Sequence, residues 1–308
     1  MGQTVNVKDI IKKNVEKNKS RKVEKIMPTI LLLAASISIL TTIGIVATLV
    51  VDAYKFFKGV PMREIFSTKL APLASNPSFG MLPLINGTII TSIIAMCVAI
   101  PIGLTTAIYL SEYASESGRK ALKPIMELLA GIPTIVYGFF AYSFITPLLM
   151  KMIPNLGAKN ALSPGIVMGI MIIPLVASLS EDAMNAVPNA MREGALALGS
   201  TKLEVTFKVV VPAAISGIIA SFVLAISRAI GETMIVVIAS GSSKNFTFNI
   251  TQSIQTMTAY IVEFTSGDAG SGTLGYYSLY AVGLMLFVFT LLMNLLAQYV
   301  SRRYREEY

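Results

Sequence analysis

Histidine is absent from the 308 residues, and cysteine occurs once, as Cys97 inside an apolar run. Their scarcity excludes disulfide frameworks, imidazole or thiolate metal sites, histidine-ligated haem and any catalytic triad built on histidine. Charge is also scarce, at 14% of the chain, against about 25% in soluble domains. No G-x-x-x-x-G-K-[ST] phosphate loop occurs. The nearest fragment, Gly199-Ser200-Thr201-Lys202, has serine where a lysine must follow the glycine, and it follows a helical pattern instead of a strand. The sequence thus predicts no catalytic residue, no metal ligand and no cofactor in this chain, and any ATP must be hydrolysed elsewhere.

What fills the chain is apolar: 54% hydrophobic residues and a mean hydropathy of +0.69. Continuous apolar runs at 28–51, 83–110, 124–150, 164–180, 213–241 and 276–300 are each near the roughly 20 residues a membrane helix needs. The expectation is an all-α integral membrane protein of six spans. The fourth run is the shortest; Ser163 before Pro164 predicts its start, as an N-cap with proline at the first helical position. Pro101, Pro133 and Pro174 lie inside the runs, with Gly131, Gly138 and Gly169 nearby. Such residues free carbonyls and let helices bend or pack closely, although both types are common in membrane helices anyway.

The net charge of +8 could signal nucleic acid, but its distribution argues for orientation. Residues 1–27 hold eight Lys or Arg. Counted on alternate sides of the spans, seventeen lie on the side of the two termini and seven on the other. The positive-inside rule then places both termini in the cytoplasm of a cell-membrane protein. The first apolar run is too long for a secretory signal and shows no clear cleavage site, so it is expected to be an anchor. The organisation expected is a basic tail at 1–27, a six-helix domain at 28–300 and a second tail at 301–308.

Between the fourth and fifth runs, residues 181–212 form an expected cytoplasmic loop. Pro188 can open a helix there, Ala190, Met191, Gly194, Ala195 and Leu198 give it a small apolar face, and Gly199 can end it as a left-handed cap. Thr201 and Glu204 have capping-box spacing for a second helix leading into the fifth span. Glu193-Gly194-Ala195, three residues, Gly199, nine residues, then Val209-Val210-Val211-Pro212 resembles the EAA loop of ATP-binding-cassette importer permeases, E-A-A-x3-G-x9-I-x-L-P. It departs in Gly194 for Ala and in valines for Ile and Leu. The resemblance implies a type I importer permease (MetI-like) fold. It further implies that Glu193, Gly194, Ala195, Gly199 and Pro212 belong to a coupling helix that inserts into a cytoplasmic ATPase subunit.

Arg228 and Glu232 are the costly residues of the fifth run. At about 1.5 Å per residue Arg228 lies about 24 Å beyond Pro212, near the bilayer midplane. An arginine facing hydrocarbon there costs roughly 2.5–3.5 kcal/mol, so it should face the bundle interior or water. The i, i+4 spacing of a continuous helix would put Glu232 on the same face. The two could be a neutralised pair that locks the helix. Alternatively Arg228 is an anion site, its planar donor fork matching a tetrahedral oxyanion. In that case Glu232 orients it or accepts a hydrogen bond from a protonated oxyanion, which hydrogen phosphate is and sulfate is not. In the third run Thr134, Tyr137, Tyr142 and Ser143 are candidate polar lining, although hydroxyls of this kind more commonly pack helices. Glu127, near its start, is expected to snorkel at the interface.

Ser227-Arg228-Ala229-Ile230-Gly231-Glu232-Thr233-Met234, with Gly131-Ile132-Pro133-Thr134-Ile135-Val136-Tyr137-Gly138, resembles phosphate-specific permeases of the PstC type across residues 27–300. The resemblance implies phosphate import with Arg228 and Glu232 serving transport. It also implies three partners: a second permease of the PstA type, an ATP-binding subunit of the PstB type, and an extracytoplasmic phosphate-binding protein of the PstS type. Sulfate and molybdate permeases share the coupling loop, so another oxyanion stays open. So does a self-sufficient secondary transporter, although the internal repeats usual for that class are not detected. A membrane enzyme lacks a convincing nucleophile and base.

Two outward loops, 52–82 and 242–275, are long. In the second, Ile250, Ile254, Met257, Ile261 and Phe264 recur at helical spacing and predict an amphipathic helix at the outer mouth. The sequons at Asn86, Asn245 and Asn249 are chance matches.

Overall fold

The structure, a computed structural model, describes residues 20–267, 270 and 272–303. The first nineteen residues of the basic tail and the last five of the C-terminal tail lie outside the described residues. The chain forms two units, Met1–Val51 and Asp52–Tyr308. In the first, the described residues are helical and belong to α1 (Ser20–Gly59). Their apolar side chains, such as Leu31, Leu32 and Leu40, are exposed, a surface compatible with hydrocarbon.

The second unit begins with the last residues of α1 and a short helix, α2 (Met62–Ile65). Strands β1 (Leu70–Ala71) and β2 (Ser78–Phe79) pair antiparallel, Leu70 opposite Phe79. This pair of two-residue strands lies in a connection and leaves the fold class all-α. Next come α3 (Leu82–Ile108), closed by a π-helical turn at Tyr109–Tyr113, then α4 (Glu116–Gly131) and α5 (Thr134–Phe140). A second π turn, Ala141–Ile145, joins α5 to α6 (Thr146–Met152), followed by α7 (Leu162–Asn185) and α8 (Asn189–Ala197). Helix α9 (Lys202–Val205), a third π turn at Thr206–Val210 and α10 (Val211–Ala213) approach α11 (Ile215–Ile230). The last elements are α12 (Met234–Ala239), α13 (Met257–Ser266) and α14 (Leu274–Arg303).

Among the described residues five helices are long and apolar enough to cross a membrane. The segment Lys202–Ala213 plus α11, bent by 70°, makes a sixth if it is one span. Three expectations need correction. The third run, 124–150, is not one helix: its first part belongs to amphipathic α4, and the crossing candidate is Thr134–Met152. Pro133 has no N–H to give and holds its neighbour Ile132 extended, at φ −67° and ψ 128°, so the helix breaks there. The fourth helix starts at Leu162, not Pro164, because Asn160 Oδ1 accepts from the N–H of Ser163 at 2.8 Å and does the capping. The outer helix spans only Met257–Ser266, capped by Thr256. Ile250 lies outside it, and Ile254 packs with Ile90 and Ala161.

Small residues set the core. Helices α3 and α7 pack with backbones close: a methyl group on Gly103 would come 2.7 Å from Val176 Cβ, and one on Gly169 would meet Val98 Cβ at 2.7 Å and the Ala95 carbonyl at 2.8 Å. Close approach through glycine is how membrane helices associate without a hydrophobic driving force between them. Buried Ser180 and Ser221 share a 2.8 Å hydrogen bond between α7 and α11, and Ser227 donates to Asn294 Oδ1 of α14 at 2.7 Å. Asn86, a sequon residue, is buried and donates to the Thr247 carbonyl.

Candidate functional site

The loop between α7 and α11 forms as its residues dictate. Pro188 is the N-cap of α8, Gly199 follows the helix at φ +87°, and Thr201 with Glu204 makes a full capping box at the start of α9. Only at Gly199 does the backbone need the left-handed region, which costs glycine little. The expected apolar face divides in two. Met191 and Ala195 pack onto the cluster of Ala107, Met184, Val205, Val210 and Ile218. Ala190, Gly194 and Leu198 face outward beside Glu193, with Leu198 89% exposed. A methyl on Gly194 would meet nothing within 4 Å, so the departure from alanine in the motif leaves the fold untouched. Exposed Leu196, Leu198, Leu203 and Phe207 give this side an apolar surface of the kind that meets a partner.

Charges missed in the sequence hold the loop down. Arg192 donates to Glu112 Oε1 at 3.1 and 3.3 Å, to the Met184 carbonyl at 2.7 Å, to the Val187 carbonyl and to Asn189 Oδ1. Arg119 donates to the carbonyls of Leu110 and Ser111 at 2.7 and 2.9 Å, both in the π turn. Lys123 of α4 pairs at 3.0 Å with Glu181 of α7, whose side chain is 2% exposed. A cavity of about 250 Å³ of mixed lining, with Lys123, Glu127, Ser178 and Glu181 as its polar residues, lies between the two helices beside this pair. The adjacency of Arg192 to the Glu193 motif was the one available signal. Its ion partner Glu112, 80 residues away in sequence, was not readable.

The two other quoted segments also meet. Helices α5 and α12 cross at Gly138, where an added methyl would lie 3.0 Å from the Met234 carbonyl and 2.9 Å from Ile238. Each helix follows a break, after residue 131 in one case and after residue 230 in the other. Thr134 opens α5 half-buried. Tyr137 is buried and donates its hydroxyl to the Leu129 carbonyl at 2.7 Å, tying α4 to α5 across the break. That phenol is therefore committed to structure. Ser143 likewise donates to the Phe139 carbonyl, while Tyr142 and Glu127 are exposed.

Arg228 and Glu232 do not form the stacked pair that a continuous helix would give. Helix α11 ends at Ile230, so Glu232 lies beyond the helix that carries Arg228, and the two form no ion pair. The Glu232 carboxylate, on a residue 9% exposed, accepts from the N–H groups of Met234 and Ile235 at 3.0 and 3.3 Å and caps α12. Its carbonyl accepts from Thr258 Oγ1 of α13 at 2.7 Å. Arg228 is exposed, and among the described residues it makes no ion pair and no side-chain hydrogen bond. The neutralised-pair reading is thereby corrected: Glu232 Oε1 holds a helix start, and the guanidinium has no partner among the described residues.

Residues 99–306 match the family of binding-protein-dependent transport system inner membrane components. The chain belongs to that family. It is a multi-pass inner-membrane transport subunit, not an enzyme, working with a binding protein and an ATPase. Relatives include the "Probable ABC transporter permease protein YqgH" of Bacillus subtilis, 32% identical over 89% of this chain and 87% of that protein. Another is the "Phosphate transport system permease protein PstC" of Mesorhizobium japonicum, 33% identical over 88% of each chain. The fold is similar to that in the crystal structure of a bacterial alginate ABC transporter in complex with its alginate-bound periplasmic protein. There the TM-score is 0.63 at 16% identity, covering 92% of this permease and 98% of the other chain. The expected importer-permease architecture thus holds, with the breaks and bend described above.

Proposed function

We propose that this permease forms half of a phosphate import pathway powered by ATP hydrolysis in a separate subunit. The observation that carries the reading is Arg228: an exposed guanidinium at the end of an apolar helix, with no ion-pair or side-chain hydrogen-bond partner among the described residues. Facing lipid, it would cost roughly 2.5–3.5 kcal/mol. Facing an aqueous route between two permeases, it offers a fork of donors to a tetrahedral anion. Relatives named as phosphate transport permeases support phosphate as that anion. Glu232 acts by holding the start of α12, and so the geometry around the arginine. In a second role its other carboxylate oxygen, Oε2, accepts a hydrogen bond from the protonated oxygen of hydrogen phosphate.

The remaining subunits follow from the same reading: a second permease of the PstA type, an ATP-binding subunit of the PstB type that receives α8, and a binding protein of the PstS type outside. Glu193, Gly194 and Leu198 form the outward side of α8 offered to the ATPase, while Ala195 packs inward, Gly199 sets the turn and Pro212 enters α10. Both termini face the cytoplasm, with the loop.

Reconstitution tests the proposal. The permease alone in liposomes is expected to move no phosphate, and the complex with its three partners is expected to import phosphate with ATP and to prefer it over sulfate. ATP-independent phosphate flux by the lone chain, or equal uptake of sulfate by the complex, would overturn it. Glu232→Gln should lower the preference for phosphate over sulfate; an unchanged preference removes the second role of Glu232 and leaves the capping role.

A further inference from the structure

Glu112 is a carboxylate 7% exposed in its side chain, set in the π turn that ends α3, and its ion partner is Arg192 of the loop helix α8. The same guanidinium bonds the Met184 and Val187 carbonyls, at and just beyond the end of α7. One side chain therefore fastens α8 to the ends of two transmembrane helices. Those two are the pair whose backbones are brought close by Gly103, Gly165 and Gly169, and interiors packed so closely move as a body. On its other side α8 is held by apolar packing, Met191 and Ala195 against Val205, Val210 and Ile218, and among the described residues by no ion pair. It leads through the Gly199 turn, a π turn and a 70° bend into α11, a succession of joints that can absorb motion.

We infer that Arg192 is the positioning residue through which displacement of α8 is delivered to α3 and α7 as one block, with the α11 side left compliant. This inference rests on the proposed docking of α8 on an ATPase. The chemistry requires arginine. A lysine ammonium can meet the Glu112 carboxylate but lacks the planar fork that also reaches two carbonyls. Alanine leaves a buried carboxylate without its counter-charge and helix-end carbonyls without donors. Glu193, next in sequence and exposed, faces the partner, so adjacent residues divide the inward and outward tasks.

The test uses the complete four-component importer in proteoliposomes. Phosphate moved per ATP hydrolysed is measured alongside hydrogen exchange of the backbone at residues 109–113, before and after vanadate trapping of the ATPase. In the unaltered complex trapping should change exchange at 109–113. Arg192→Ala is expected to retain the ATPase subunit at unaltered stoichiometry, to lose about tenfold in phosphate moved per ATP, and to abolish the exchange response. Arg192→Lys should lie between. The double variant Arg192→Ala with Glu112→Ala should be no worse than Arg192→Ala, because one contact is removed twice. Should Arg192→Ala fail to assemble, Arg192→Lys decides. Full coupling together with an intact exchange response in the assembled variant would overturn the inference. An unaltered complex that imports no phosphate yet shows the trapping response, lost in Arg192→Lys, would sink the proposed substrate and leave the inference standing.

Discussion

Arg192 sinks its guanidinium among four acceptors contributed by the π turn, the end of α7 and the start of α8, whereas Arg228 reaches none among the described residues and lies exposed on α11. The acids differ in parallel. Glu112 and Glu181 are buried against cations, while Glu232 is buried against the N–H groups that begin α12. Charge at the loop end is consumed in holding the fold. At the break in the fifth span the negative charge is consumed and the positive one is not. Residues of one type thus separate into scaffold and candidate pathway by their partners, a distinction that composition and spacing do not make.

The comparison breaks most visibly if the two arginines respond alike. Arg228→Ala should reduce uptake by the assembled importer about 10- to 150-fold, the worth of a charged hydrogen bond of about 1.5–3 kcal/mol, while leaving thermal stability of the detergent-solubilised permease unchanged. A fall in stability instead would make it scaffold. Leu198→Asp comes next. A carboxylate placed at the outward apolar tip of α8 should weaken co-purification of the ATPase by about 30-fold, as for loss of a binding hot spot of about 2 kcal/mol. Unchanged co-purification would put the docking surface elsewhere.

Smaller effects sharpen the loop side. Gly199→Ala has open space for its methyl, so only the backbone objects: about 1–2 kcal/mol for a side chain held at φ +87°. Thr201→Ala removes the capping-box acceptor and should cost about 1 kcal/mol. Both are read as local hydrogen exchange in residues 189–205. Gly194→Ala is the mildest. Its methyl points into open space, so the helix should gain up to about 1 kcal/mol of local stability with uptake unaltered. A loss of uptake there would show that the partner approaches α8 closer than a methyl group permits.

What was legible in the sequence was local. Pro188, Gly199 and the Thr201–Glu204 box announced the loop because each acts within four residues of itself. Five of the six expected spans were legible from apolar length, and the sixth counts if the bent segment 202–230 is one span. At Gly131 and Pro133 a bend was legible but a full break was not, because Pro101 and Pro174 interrupt apolar runs in the same way and stay inside continuous helices. The division of the α8 face was likewise hidden: alanine, glycine and leucine suit either side, and only the position of the α7 end assigns Met191 and Ala195 inward. For Arg228 and Glu232 the identities were informative and the geometry assumed for them was not, since a helix ending at Ile230 undoes an i, i+4 argument.

The account turns on whether the guanidinium of Arg228 meets water. Since Cys97 is the sole cysteine, replacing it with serine and introducing Arg228→Cys leaves one thiol to probe in the assembled importer. The account predicts labelling by a charged, membrane-impermeant thiol reagent in at least one stage of the ATP cycle, slowed when phosphate-loaded binding protein is engaged. Labelling by lipid-soluble reagents alone, at every stage, would contradict it.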